Sequence, residues 1–82
     1  MANLYTGQID TKGQYKSLAS ETGVTFTADT KYTIQIQNSA WIREGETGEG
    51  FYINDSTPFT YTAGADDLYI KTESYSIVNI AE

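Results

Sequence analysis

Strand-forming side chains repeat along this chain with a period of two, and that pattern leaves few folds open to it. In Tyr32-Thr33-Ile34-Gln35-Ile36-Gln37, the residues Tyr32, Ile34 and Ile36 fall on one side and Thr33, Gln35 and Gln37 on the other. Val24-Thr25-Phe26-Thr27 and Leu68-Tyr69-Ile70-Lys71 repeat the alternation. One apolar and one wet face is the mark of an antiparallel sheet. The composition agrees, since 12 Thr, 8 Ile, 7 Tyr, 3 Phe, 2 Val and 1 Trp make up 33 of the 82 residues, against three Leu. Branched and aromatic side chains lose less rotamer freedom on a pleated sheet than in a helix.

Turn signals cut this material into short pieces. Asp10-Thr11-Lys12-Gly13 reads as a tight turn with Gly13 at positive φ. Further breaks fall at Thr22-Gly23, Asp29-Thr30-Lys31, Asn38-Ser39, Asp55-Ser56-Thr57-Pro58 and Ala63-Gly64-Ala65-Asp66-Asp67. Strands are predicted near 3–9, 14–19, 24–28, 32–38, 40–43, 51–54, 59–62 and 68–72, with a ninth at 77–80. Leu18 and Ala19 would also suit one or two helical turns. The expected fold is all-β: a single domain over 1–82, a small antiparallel β-sandwich or jelly-roll-like small barrel of eight or nine short strands. The stretch Arg43-Glu44-Gly45-Glu46-Thr47-Gly48-Glu49-Gly50 has no apolar residue and is expected to be a mobile hairpin tip.

A domain this small hides only about 60% of its unfolded surface. With no cysteine and no histidine, neither disulfides nor the usual zinc ligand sets can compensate. Close packing or oligomerisation must do so. The formal charge of −6 argues against general binding to nucleic acid or anionic membranes. The opening Met1-Ala2-Asn3-Leu4-Tyr5 lacks a basic n-region and an apolar h-region, and no apolar run approaches a membrane span, so a soluble, unprocessed protein is expected.

Little in the chain points to catalysis. A hydrolytic triad most often takes His as its base. A Ser–Lys variant built from Ser17 or Ser20 with Lys16 has no nucleophile elbow or oxyanion loop to support it. Paired carboxylates of the glycosidase kind need a deep cleft, for which so small a sheet has little room. Calcium is the metal the composition allows, at Asp66 and Asp67 with Asp55 or Glu44, Glu46 and Glu49 as companions, although no EF-hand spacing occurs. Asn54-Asp55-Ser56 is a glycosylation sequon only in a secreted chain, and Gly48-Glu49-Gly50 lacks the third glycine of a dinucleotide fingerprint.

The aromatics carry more. If Ile42 and Ile53 face the core, alternation turns Trp41 and Tyr52 outward, and Tyr69 falls opposite Leu68 and Ile70. A shared surface of Trp41, Tyr52 and Tyr69 suits a subunit interface or a sugar-stacking platform; the plain alternative is a second buried face.

The second half has a recognisable order. Ala40-Trp41-Ile42 is followed by the acidic glycine loop, Gly50-Phe51-Tyr52-Ile53 and Pro58-Phe59-Thr60-Tyr61. Gly64-Ala65-Asp66-Asp67-Leu68-Tyr69-Ile70-Lys71 and Ile77-Val78-Asn79-Ile80-Ala81-Glu82 complete it. This order resembles small virion proteins of tailed bacteriophages and prophages, of the β-sandwich capsid-decoration, head-fibre and tail-accessory type. The resemblance spans about half the chain and brings no catalytic or ligand residue with it. It implies a non-enzymatic structural part, made in the host cytoplasm and assembled onto a particle, often as a trimer or larger ring. A carbohydrate-binding, host-recognition module using the aromatic platform is the alternative.

Overall fold

The computed structural model describes residues 2–47, 50–54 and 58–82. The elements are β1 (Asn3–Ile9), β2 (Lys16–Ser17), α1 (Leu18–Thr22), β3 (Lys31–Gln37), β4 (Ser39–Glu44), β5 (Phe51–Asn54), β6 (Phe59–Thr62), β7 (Leu68–Lys71) and β8 (Ser76–Ala81). They form two four-stranded sheets, ordered β1-β8-β3-β6 and β2-β7-β4-β5. Four antiparallel pairs, β1·β8, β2·β7, β3·β6 and β4·β5, describe one long hairpin folded over on itself. Two more, β3·β8 and β4·β7, wrap that hairpin into two layers. This is the strand order of a jelly roll.

The period-two pattern becomes the sandwich core. Tyr32, Ile34 and Ile36 of β3 are buried with Ile9, Tyr61, Val78 and Ile80 of their own sheet. Ala40, Ile42, Leu68 and Ile70 meet them from the other. Burial of each Ile or Leu removes apolar surface worth roughly 1.5–3 kcal/mol from water, which is how a chain without cross-links holds two layers together. Asn38, at φ 68°, turns the chain from β3 directly into β4 and so from one sheet to the other.

Two predicted strands are corrected. Residues 14–19 yield only the two-residue β2, after which the chain turns into α1, the helical alternative that Leu18 and Ala19 allowed. The Ser17 side chain caps α1 by accepting the Ser20 N–H at 3.3 Å, Leu18 enters the core, and Gly23 ends the helix at φ 77° with its N–H on the Ala19 carbonyl. Residues 24–28 form no strand. Their alternation is real, but Phe26 uses it to stand edge-on to Tyr32 and Tyr61, at centroid distances of 4.9 and 5.9 Å. The backbone here bonds outside any ladder: Thr27 N–H donates to the Tyr32 hydroxyl at 2.7 Å and Asp29 N–H to the Ala63 carbonyl at 2.9 Å. The strand count among the described residues is therefore eight. The turn predicted at Asp55–Pro58 and the sequon fall largely on positions 55–57, and Gly48-Glu49 on 48–49, all outside the described residues.

One polar clasp joins the sheets. Thr11 follows β1 and Thr72 follows β7, and both are fully buried. Thr11 N–H donates to Thr72 Oγ1 and Thr72 N–H to Thr11 Oγ1, each at 2.8 Å. The Thr11 hydroxyl also reaches the Thr72 carbonyl, at 3.3 Å, and Gly13 N–H donates to that same carbonyl at 2.7 Å. Two chain segments that leave their ladders inside the protein thus satisfy each other's backbone.

Candidate functional site

The outer face of the β2-β7-β4-β5 sheet gathers the aromatics. β4 and β7 each carry the same triplet, aromatic–Ile–base: Trp41-Ile42-Arg43 and Tyr69-Ile70-Lys71. Their antiparallel register sets Trp41 opposite Lys71, Ile42 opposite Ile70 and Arg43 opposite Tyr69. The two isoleucines point into the core, so each aromatic ring stands outward beside the other strand's cation. Lys71 Nζ lies 5.2 Å from the Trp41 ring centre and Arg43 Cζ 5.9 Å from that of Tyr69. Tyr15, just before β2, covers both cations, with Arg43 Cζ at 3.9 Å and Lys71 Nζ at 5.0 Å from its ring centre. Contacts of this kind contribute about 0.5–1 kcal/mol each where solvent reaches them.

On the far side of Trp41, β5 presents Tyr52 directly opposite it, with ring centroids 5.1 Å apart and planes at 57°. The row across the sheet is therefore Tyr52, Trp41, Lys71. All three residues singled out in the sequence lie on this one face: Trp41 and Tyr69 half-buried, Tyr52 with 54% of its surface exposed. Alternation missed Tyr15, Arg43 and Lys71. The available signal was the base two positions beyond each outward aromatic.

The Arg43 guanidinium is fixed in direction. Arg43 donates from Nε to the Gly45 carbonyl at 3.2 Å and from Nη2 to the Glu46 carbonyl at 2.8 Å. The Tyr69 hydroxyl donates to Glu46 Oε1 at 3.2 Å, and Gly45 N–H donates to the Asp67 carbonyl at 2.9 Å. The start of the acidic loop, expected to be mobile, is thus tied to the sheet by Arg43, Gly45 and Glu46. Desolvation raises the Tyr69 phenol above its ordinary 10.0; the hydrogen bond and charge of Glu46 add to the rise, and Arg43 opposes it. Tyr61 on the inner face is raised too, by burial first and then by the charge of Glu44.

Comparison with protein-family models, curated proteins and solved structures gives no match.

Asp66 and Asp67 are exposed on the β6–β7 connection. Among the described residues, no three acidic side chains converge in a set able to hold a metal ion, so the calcium expectation gains no ligand cluster there. Ser17 Oγ accepts the Ser20 N–H as the cap of α1, a structural role for that side chain. An opening of about 450 Å³ with a mixed polar and apolar lining lies between α1, residues 23–26 and the β6–β7 connection.

A second opening is apolar. It measures about 320 Å³, beside β5 and β6, and Ile42, Phe51, Phe59, Tyr61 and Leu68 contribute to its walls. Phe51 stands opposite Ile42 and so belongs to the core-facing side of its sheet. On an outer strand it overhangs the sandwich, with 76% of its surface exposed. Alternation read Trp41 and Tyr52 correctly as outward, but it gave no sign that an inward residue could remain bare.

Proposed function

We propose that this chain is a non-enzymatic structural component of a tailed-phage virion, which binds capsid or tail subunits and associates with copies of itself. On this reading it is made in the host cytoplasm and retained on the particle, with no role in binding nucleic acid or membrane. One observation carries the binding part: β5 is an outer strand bearing two large exposed rings, Phe51 on one face and Tyr52 on the other. An edge of unpaired N–H and C=O groups flanked by aromatics is suited to take up another strand. The virion part rests on the resemblance of residues 40–82, and a jelly-roll strand order, found in viral capsid proteins among others, is compatible with it. The resemblance favours a trimer or larger ring. The test is recovery of the chain, in fixed stoichiometry, with particles banded by density from a strain that encodes it; loss of the chain from intact particles on banding would refute the reading.

A second reading keeps the outer face for a glycan, because Trp41, Tyr52, Tyr69 and Tyr15 share it. Trp41 is flanked by Tyr52 and Lys71, so Tyr52 is the ring most open to a sugar. Under this reading Trp41→Ala abolishes glycan binding with the fold intact, and unchanged Trp41 fluorescence across a host glycan panel would exclude it.

A further inference from the structure

The four sheet edges are not equally guarded. β1 carries a register irregularity between Asn3 and Tyr5, β2 is two residues long and includes Lys16, and β6 is entered from Pro58. Bulges, short length, lysine and proline are the devices that keep an edge from pairing with another chain. β5, with the sequence Phe51-Tyr52-Ile53-Asn54, is twice the length of β2 and carries no charge, no proline and an unbroken register with β4. We propose that β5 pairs with β5 of a second copy across a two-fold axis, joining the two β2-β7-β4-β5 sheets into one eight-stranded sheet. The proposal rests on the self-association part of the reading above and puts a two-fold dimer in place of the trimer or ring that the resemblance favours.

A copy of this chain fits β5 in charge, area and register. A chain of net charge −6 repels its own copies, and an uncharged strand is the place where they can approach most closely. The exposed rings supply part of the area. Phe51 and Tyr52 leave 76% and 54% of their surfaces bare. At roughly 200 Å² per aromatic side chain, covering both in both copies removes about 500 Å², half of what a specific interface needs. Ile53 on the same strand and the edge backbone of the two copies have to supply the remainder.

The geometry also limits the register. A two-fold axis perpendicular to the joined sheet keeps core-facing residues beside core-facing ones, so opposed residue numbers must sum to an even number. Centring the pair on Tyr52 sets Tyr52 against its own copy and Phe51 against Ile53 of the second copy. The outer row of aromatics then runs unbroken across the join, from one Trp41 through two Tyr52 rings to the other Trp41. Aromatic cross-strand pairs of this kind add to sheet stability.

The chain has no cysteine, so one can be introduced as a reporter. Opposed residues of an antiparallel pair lie about 4.5–5.5 Å apart between Cα atoms, within reach of a disulfide. Tyr52→Cys, treated with diamide as oxidant, is expected to give a covalent dimer, whereas Leu4→Cys on the β1 edge gives none. In parallel, sedimentation of the unmodified chain is expected to show a dimer. Phe51→Lys, placed at an exposed position so that the circular dichroism of the fold is retained, weakens that dimer roughly 30-fold or more. A monomer throughout the micromolar range overturns the proposal, as does a trimer, or a dimer indifferent to Phe51→Lys and not cross-linked through position 52. None of these results bears on recovery with particles, which tests the virion reading separately.

Discussion

Replacing Thr72 by valine changes almost nothing in shape and removes one hydrogen-bond acceptor from a place water does not reach. In the clasp between the sheets, Thr72 Oγ1 accepts the Thr11 N–H at 2.8 Å, and both residues are buried. Valine leaves that backbone donor without a partner. A buried donor so stranded costs about 1–3 kcal/mol, and 2 kcal/mol is a reasonable central figure for a bond this short. Thr72→Ser keeps the hydroxyl and loses one methyl group, at about 0.8 kcal/mol for the buried carbon. The more apolar substitution should therefore be the more damaging one, the reverse of what hydrophobic burial would give. Urea unfolding followed by the fluorescence of Trp41, the single tryptophan, measures both at fixed protein concentration, since self-association adds to apparent stability. A loss near 2 kcal/mol corresponds to a fall in Tm of about 8–16 °C for a domain of this size. Thr11→Val strands the Thr72 N–H in the same manner and should cost a similar amount. If Thr72→Val proved as stable as the parent, or more stable than Thr72→Ser, the clasp would not be holding the sheets as described.

Two other perturbations probe the core and the outer face of the β2-β7-β4-β5 sheet. Tyr61 and Tyr69 titrate above their ordinary 10.0 in the folded chain, so the unfolded chain loses these protons first. Their contribution is complete below pH 10 and is lost as pH rises toward the folded-state values; Tyr61→Phe should flatten the alkaline fall in stability, and an unchanged slope between pH 9 and 12 would contradict the assignment. At Gly50, a Cβ would strike both the Tyr15 hydroxyl and the Ile42 carbonyl. Gly50→Ala should lower stability by about 1–3 kcal/mol and disturb the Tyr15–Arg43 stack, visible as a change in near-ultraviolet circular dichroism; a neutral substitution would mean that Tyr15 does not lie across the sheet.

What the sequence conveyed well was the property that period two encodes, namely which face a residue takes. The bounds of β5 and β6 were read correctly, and Trp41, Tyr52 and Tyr69 were read as outward, though only the register shows that they share one face. Pairing is a different property, set by residues far away along the chain. Val24 and Phe26 alternate like a strand, yet both four-stranded sheets form without them, and Phe26 becomes a plug against Tyr32 and Tyr61. The helix at Leu18–Thr22 is decided by a cap and a left-handed glycine, signals weaker in sequence than the surrounding strand formers. Arg43 and Lys71 escaped notice for the same reason as Phe51. Nothing local reveals that Lys71 stands beside Trp41, thirty positions earlier, or that β5 has a neighbour on only one side.

The folded-over hairpin also orders the assembly of the domain. The β4·β5 pair joins residues as close as Ile42 and Phe51, while β1·β8 joins residues as distant as Asn3 and Ala81. Closing the outermost pair first would confine nearly the whole chain in one loop before any contact rewarded it. Starting at β4·β5 makes every later pair, β3·β6, then β2·β7, then β1·β8, the closure of a loop already drawn short by the one before. Folding should then run from the middle of the chain outward, with high φ-values for mutations in β4 and β5 and values near zero in β1. The strands that complete the core would be the last to arrive, and β8, which bridges β1 and β3, would join only when the chain is almost whole.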